Sequence, residues 1–146
     1  MHVRKLVLCL ATLMSLLIGS AIAAAAGSSD ISVVEAHNRA QSGDLVLVDI
    51  RAPKEWAQSG VPESGQLITM YQQGDRFLAA LKKAAGGDTS KPVALICATG
   101  VRSLRLQSAL QRAGFKNVIN VLGGMFGTRK DKGWIKAGLP VSKFQR

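Results

Sequence analysis

The chain has few of the residues that metal sites and disulfide scaffolds require. Two cysteines and two histidines are present among its 146 residues. Two cysteines cannot build a disulfide-rich scaffold, and with only His2 and His37 to help they do not provide a four-ligand zinc site. We therefore expect neither a metal nor a cofactor.

Acidic and aromatic residues are also scarce. The chain has nine acidic and nineteen basic residues, which gives a formal net charge of +10. Aromatic residues make up 5% of the chain. The basic residues are scattered and few aromatics lie between them, which is not the pattern of a nucleic-acid-binding protein. The positive charge favours attraction to small anions or to an acidic protein instead.

The N-terminal segment has the three parts of a secretory signal peptide. Two basic residues precede an apolar run from Leu6 to about Leu17, and alanines dominate positions 21–26. We expect cleavage after Ala23 or Ala26 and export, with the periplasm as the destination. The stretch from Leu6 onward is also just long enough to span a bilayer, so an uncleaved membrane anchor is the alternative.

Signal removal would leave residues 27–146 as the mature chain, with Cys97 as its only cysteine. About 120 residues suit one compact domain, and we expect no stable membrane insertion after cleavage. A lone thiol in an oxidising compartment risks pairing with other chains, so its presence requires an explanation. It is either a buried core residue or a reactive nucleophile, and an exposed thiol would also allow accidental dimers.

Strand patterns and helix patterns alternate along the mature chain. Apolar runs predict strands at 45–50, 66–70, 92–97 and 117–121, and helical patterns lie at 32–41, 53–56, 75–85 and 102–113. In the last helix the residues expected to face the sheet are apolar: Val101, Leu104, Ala109, Leu110 and Ala113. The alternation predicts an α/β fold with a mainly parallel sheet and helices on both faces. Ligands bind beyond the carboxyl ends of such strands, and Cys97 ends a central one.

The six residues from Cys97 to Arg102 join that strand to the last helix. Gly100 permits tight backbone curvature, and the helix begins where the loop closes. Successive backbone N–H groups around such a turn form an anion cradle, strengthened by the positive end of the helix dipole. We expect this cradle, assisted by Arg102, to favour the thiolate of Cys97 and make it a nucleophile that needs no general base.

Three blocks carry a family resemblance, in the same order as in the family. The first block is the run 45–51 followed by Glu55-Trp56, and the second is the loop Cys97-x-x-Gly100-x-Arg102. The third block consists of 120–125, Gly133-Trp134 and 137–141. Together they resemble the rhodanese-like sulfurtransferases, and the similarity extends from about Ile31 to Val141.

The resemblance implies transfer of a sulfane sulfur from a small anionic donor such as thiosulfate to a thiol or cyanide, through a persulfide on Cys97. The residues implied to bind the substrate are Ala98, Thr99, Gly100, Val101 and Arg102. Asp49 and Arg51 are implied to support the active-site region, and the sheet is implied to have five strands, with a short first strand near Ile31. Because the mature chain has no second cysteine, the acceptor must come from outside, and an exported protein is one candidate partner.

Two other functions stay open. Cysteine-dependent phosphatases and arsenate reductases have five residues between the cysteine and the arginine of their loop, whereas four intervene here and Ser103 occupies the next position. A smaller ring suits a single sulfur better than a tetrahedral oxyanion. The third interpretation is a non-catalytic module that only binds a partner, although such modules often lack the loop cysteine.

Two segments depart from the family pattern. Residues 60–65 contain no histidine where many relatives have one, and residues 125–133 form a longer and more basic connection than the usual tight turn. Our hypothesis is that this basic segment overhangs the pocket and attracts an anionic donor or a partner. A solvated surface loop is the alternative.

Overall fold

The computed structural model describes residues 30–145, so the predicted signal peptide lies outside the described residues. Strands in this part of the chain are β1 (Asp30–Ile31), β2 (Val46–Asp49), β3 (Val61–Pro62), β4 (Gln66–Leu67), β5 (Val93–Ile96), β6 (Val118–Val121) and β7 (Val141–Ser142). Its helices are α1 (Val33–Gln41), α2 (Pro53–Ser59), α3 (Gly74–Ala84) and α4 (Val101–Arg112). None of these helices has the length and apolar character of a membrane span.

Five of the strands form one parallel sheet in the order β1-β6-β5-β2-β4. The central strand, β5, pairs with β2 on one side and with β6 on the other. The predicted α/β class, the five-stranded sheet and the short first strand near Ile31 are thereby confirmed. β3 and β7 form a separate antiparallel pair that the sequence patterns did not predict, because two residues are too few to show an alternation.

Helices cover both faces of the sheet, as predicted. Alternate residues of β5 point to opposite faces, so that Leu95 belongs to one apolar cluster and Ile96 to the other. The first cluster includes side chains of α3 and α4, and the second includes side chains of α1 together with Trp134. Because helices cover both faces, β5 is apolar throughout and β2 is apolar up to Asp49.

The buried face of α4 is more polar than the sequence pattern predicted. Ser103 and Gln107 are buried, whereas four of the five residues predicted to face the sheet are exposed: Val101, Leu104, Ala109 and Ala113. The Ser103 hydroxyl donates to Asn120 Oδ1 at 2.6 Å, and Gln107 Nε2 donates to the carbonyl of Val118 at 2.8 Å. The prediction for this face was wrong because hydrogen bonds to β6 satisfy its polar groups.

A buried ion pair closes the carboxyl end of β2. Asp49 and Arg51 are both fully buried, and Arg51 Nη2 lies 2.6 Å from Asp49 Oδ2. Arg51 also donates to Ser59 Oγ at 2.7 Å and to the carbonyl of Gly60 at 2.8 Å. The guanidinium therefore fixes the C-terminal end of α2 against the end of β2.

We expect Arg51→Leu to lower the free energy of unfolding by about 3–5 kcal/mol, because it leaves the buried Asp49 carboxylate without its partner. Urea-induced unfolding measures the change. The control is Arg39→Ala, which removes the exposed pair with Glu35 and should cost less than about 1 kcal/mol. Equal losses in the two variants would contradict the structural role of the buried pair.

Candidate active site

Cys97 lies directly after β5, at the carboxyl edge of the sheet, and the chain turns there into α4. Gly100 makes the turn possible, since its φ of +91° is a conformation that residues with a Cβ rarely adopt. A Cβ at this position would also lie 3.2 Å from the carbonyl oxygen of Val121, on β6. The glycine thus lets the loop fold tightly over the end of the sheet.

Two groups that can donate hydrogen bonds lie beside the Cys97 sulfur. The amide of Gly100 donates to Cys97 Sγ at 3.2 Å, and the Ser103 hydroxyl lies 3.4 Å from the same atom. Burial raises the pKa of the Cys97 thiol, but hydrogen bonds from the Ser103 hydroxyl and from the backbone at Ser103, Thr99 and Gly100 lower it by more. The pKa therefore lies below its ordinary value, and the thiolate is favoured.

The thiol itself is not exposed. Cys97 is 1% exposed and packs in the same apolar cluster as Leu95 and Leu110. The condition for accidental dimers, an exposed thiol, is therefore not met in this structure, because the loop folds over the sulfur. Cys97 combines the burial of a core residue with the polar contacts of a nucleophile.

Ser103 and Asn120 are site residues whose contribution the sequence analysis missed. Ser103 is fully buried, and its hydroxyl lies 2.6 Å from Asn120 Oδ1, 3.1 Å from the carbonyl of Gly100 and 3.4 Å from the sulfur. The hydroxyl has one proton, so these three acceptors compete for it. Asn120 is 2% exposed and comes from β6. The signal in the sequence for Ser103 was its position directly after Arg102, in the first turn of the helix that follows the loop.

Arg102 is held by a carboxylate from another block of the sequence. Its guanidinium donates to both carboxylate oxygens of Glu55, at 2.8 and 2.5 Å, and to the hydroxyl of Tyr71 at 2.9 Å. Hydrogen bonding to Arg102 keeps the pKa of Glu55 below its ordinary value, and the same contact raises the pKa of Arg102. The bidentate ion pair between Arg102 and Glu55 fixes the first turn of α4 relative to α2.

The Gly123-Gly124 turn brings the basic segment 125–133 to the loop. A Cβ at Gly124 would lie 2.7 Å from both the carbonyl carbon of Ala98 and the amide of Thr99, so this close approach requires glycine. Met125 donates its amide to the carbonyl of Cys97, and Phe126 donates to that of Ala98, both at 2.9 Å. The segment returns where the amide of Trp134 donates to the carbonyl of Gly124 at 2.8 Å.

The other residues singled out from the sequence lie on or behind this loop. Ala98 and Thr99 are half-buried, Gly100 is buried and Val101 is exposed. Asp49 and Arg51 support the loop indirectly, because Arg51 binds the end of the helix that carries Glu55.

A family model supports the assignment that this geometry suggests. The rhodanese-like domain model matches residues 32–131, which include the loop, the buried ion pair and Glu55. The chain belongs to the rhodanese-like domain family.

Several relatives of this rhodanese-like chain span most of its length. It is 31% identical over 109 residues to the uncharacterized protein RP600 of Rickettsia prowazekii, covering 68% of this chain and 84% of that protein. It is also 31% identical over 102 residues to a protein of Allochromatium vinosum named sulfurtransferase, covering 70% and 82%. The solution structure of the polysulfide-sulfur transferase homodimer of Wolinella succinogenes matches with a TM-score of 0.60 and 27% identity, covering 80% of each chain.

We expect Ser103→Ala to raise the pKa of Cys97, because the variant removes the side-chain hydrogen bond that favours the thiolate. Ultraviolet absorbance of the thiolate, followed as a function of pH, gives the titration midpoint without a reagent having to reach the buried sulfur. Ser108→Ala, an exposed change on the same helix, is the matched control and should leave the midpoint unchanged. A midpoint that does not move in Ser103→Ala would exclude the hydroxyl as a donor to the sulfur.

Proposed function

We propose that this rhodanese-like protein is a sulfurtransferase that carries a sulfane sulfur as a persulfide on Cys97. The observation that supports the proposal most directly is the convergence of the Gly100 amide and the Ser103 hydroxyl on Cys97 Sγ. Donors placed in this way stabilise negative charge on sulfur, which both the nucleophile and the persulfide carry.

The first half of the reaction loads the sulfur. With thiosulfate as the donor, the Cys97 thiolate attacks the outer sulfur of the donor and forms a new S–S bond. The S–S bond of thiosulfate breaks, and its electron pair leaves with sulfite. The Gly100 amide already donates to Cys97 Sγ, which supports a role for the loop at 98–102 in holding the resulting anionic persulfide.

The second half of the reaction unloads the sulfur. A thiophilic acceptor such as cyanide attacks the outer sulfur of the persulfide, the bond to Cys97 Sγ breaks, and the electron pair returns to Cys97 as a thiolate. Cys97 is the free cysteine of residues 30–145, so no second thiol in this part of the chain can release the sulfur. The acceptor is therefore a separate molecule.

The loop geometry favours sulfur transfer over phosphate-ester or arsenate chemistry. In a phosphatase loop an arginine would follow five intervening residues, but that position holds Ser103, whose hydroxyl points back to the cysteine. Arg102, one residue earlier, is engaged by Glu55 and Tyr71. The presence of Cys97 and of the groups that donate hydrogen bonds to it also favours an enzyme over a module that only binds a partner.

We expect thiosulfate to add the mass of one sulfur atom to the purified protein, and Cys97→Ser to abolish both this adduct and thiocyanate formation. Intact-protein mass spectrometry and a thiocyanate assay measure the two effects. The double variant Cys97→Ser/Ser108→Cys is the control, since it keeps one thiol at an exposed position of α4 without the loop donors. It should react with alkylating reagents yet form no thiocyanate.

Two results would reject the proposal. The first is thiocyanate formation that survives Cys97→Ser. The second is turnover of an aryl phosphate by the wild-type protein without any persulfide on Cys97, which would favour the phosphatase alternative.

We also propose that the protein is exported and acts in the periplasm, on the basis of the basic start, apolar run and alanine-rich end of residues 1–26. Expression of residues 1–146 in a bacterial host should give a periplasmic protein, and its intact mass should correspond to a chain that begins at Ala24 or Gly27. A chain that starts at residue 27 should stay in the cytoplasm. An uncleaved chain in the membrane fraction would favour the anchor instead.

A further inference from the structure

Four exposed apolar or aromatic side chains lie on segments that contact the Cys97 loop. Tyr71 is 61% exposed, Val101 and Leu104 are 50% exposed, and Phe126 is 43% exposed. Single exposed apolar residues are ordinary on protein surfaces, but clusters of them mark binding sites. These four residues are more than half of the large apolar residues exposed within residues 30–145. We call them the mouth surface.

Each residue of the mouth surface is tied to the loop by position or by a hydrogen bond. Val101 is the first residue of α4, and Leu104 lies one turn further along the same side of that helix. The Tyr71 hydroxyl accepts a hydrogen bond from Arg102, and the Phe126 amide donates to the carbonyl of Ala98. The apolar patch therefore borders the loop that holds the sulfur.

Basic side chains accompany this patch. Arg105 follows Leu104 on α4, and Arg129, Lys130 and Lys132 follow Phe126 on the segment that the Gly123-Gly124 turn brings to the loop; all four are exposed. None of them takes part in an ion pair within residues 30–145. Glu55, the carboxylate nearest the loop arginine, is already engaged by Arg102. Asp131 is the one carboxylate among residues 125–133, so this segment and Arg105 still give the rim an excess of positive charge.

We propose that the mouth surface and its basic rim bind a protein whose acceptor cysteine is flanked by apolar and acidic residues. This proposal rests on the proposed function, because the partner would receive the sulfur from Cys97. Its apolar residues would cover the mouth surface, and its carboxylates would meet the basic rim. A small donor such as thiosulfate offers no apolar group to the four exposed side chains, whereas a protein does.

The transfer to such a partner balances without a further reactant. The acceptor thiol passes its proton to the outer sulfur of the anionic Cys97 persulfide, and the resulting thiolate attacks that sulfur and forms a new S–S bond. The bond between that sulfur and Cys97 Sγ breaks, and its electron pair stays on Cys97 as a thiolate. The outer sulfur keeps its proton and becomes the terminal sulfur of a persulfide on the partner.

Two synthetic peptides can test this surface. Each contains one cysteine; the first has leucine and glutamate around it, and the second has serine and lysine at the same positions. With thiosulfate as the donor, kcat/KM for transfer to each peptide is compared with kcat/KM for transfer to cyanide. We expect the wild-type protein to prefer the first peptide by about tenfold or more at low salt, and the preference to shrink as salt is added.

Two sets of substitutions then locate the effect. Leu104→Ser/Phe126→Ser removes apolar side chains of the mouth surface, and Arg129→Ser/Lys130→Ser/Lys132→Ser removes three charges of the rim. Each should reduce the preference for the first peptide several-fold while transfer to cyanide is unchanged. The matched controls are Val141→Ser, at an exposed position on β7, and Lys82→Ser/Lys83→Ser/Arg112→Ser, at the C-terminal ends of α3 and α4.

The outcomes separate this inference from the function on which it rests. A persulfide that forms on Cys97 and passes to cyanide, with no preference between the peptides, would overturn the surface alone. Equal losses in the control variants would do the same, because they would reveal a general effect of charge or of surface polarity. Failure of thiosulfate to load Cys97 at all would overturn both proposals.

Discussion

The hydrogen bonds that converge on the Cys97 sulfur distinguish this residue from an ordinary core cysteine. Burial alone would keep the thiol protonated and inert, since a low dielectric disfavours its charged form. A backbone amide at 3.2 Å and a buried hydroxyl reverse the sign of that effect. Other features of the site serve this arrangement: the left-handed Gly100 aims the amide, and Gly124 lets a neighbouring turn approach the loop.

Charged contacts position the loop, whereas neutral dipoles act on the sulfur. The Asp49–Arg51 pair holds the end of α2, and α2 in turn presents Glu55 to Arg102. Residues of two distant sequence blocks are thereby locked together at the edge of the sheet. Because Glu55 balances the charge of Arg102, the thiolate is favoured mainly by backbone amides and by the Ser103 hydroxyl.

Much of this architecture could be predicted because local signals determined it. Continuous apolar runs identified the central strands, and the strand–loop–helix context placed Cys97 at the carboxyl edge. The orientation of α4 could not be predicted, since the partners of Ser103 and Gln107 lie on β6, 17 and 11 residues further along the chain. The engagement of Arg102 by Glu55 likewise depends on a contact between residues 47 positions apart. The sequence left open whether the thiol is buried, because burial follows from how the loop folds over it.

The basic segment that follows Gly124 is held at its base beside the sheet, and its tip is a turn closed by hydrogen bonds between Thr128 and Asp131. The amides of Gly127 and Trp134 bond the carbonyls of Gly123 and Gly124 at 2.7 and 2.8 Å, so both ends are fixed beside the sheet. Insertions or deletions between these anchor points would alter the tip without displacing the residues around Cys97. The length and the charge of this tip can therefore change independently of the contacts that hold Cys97.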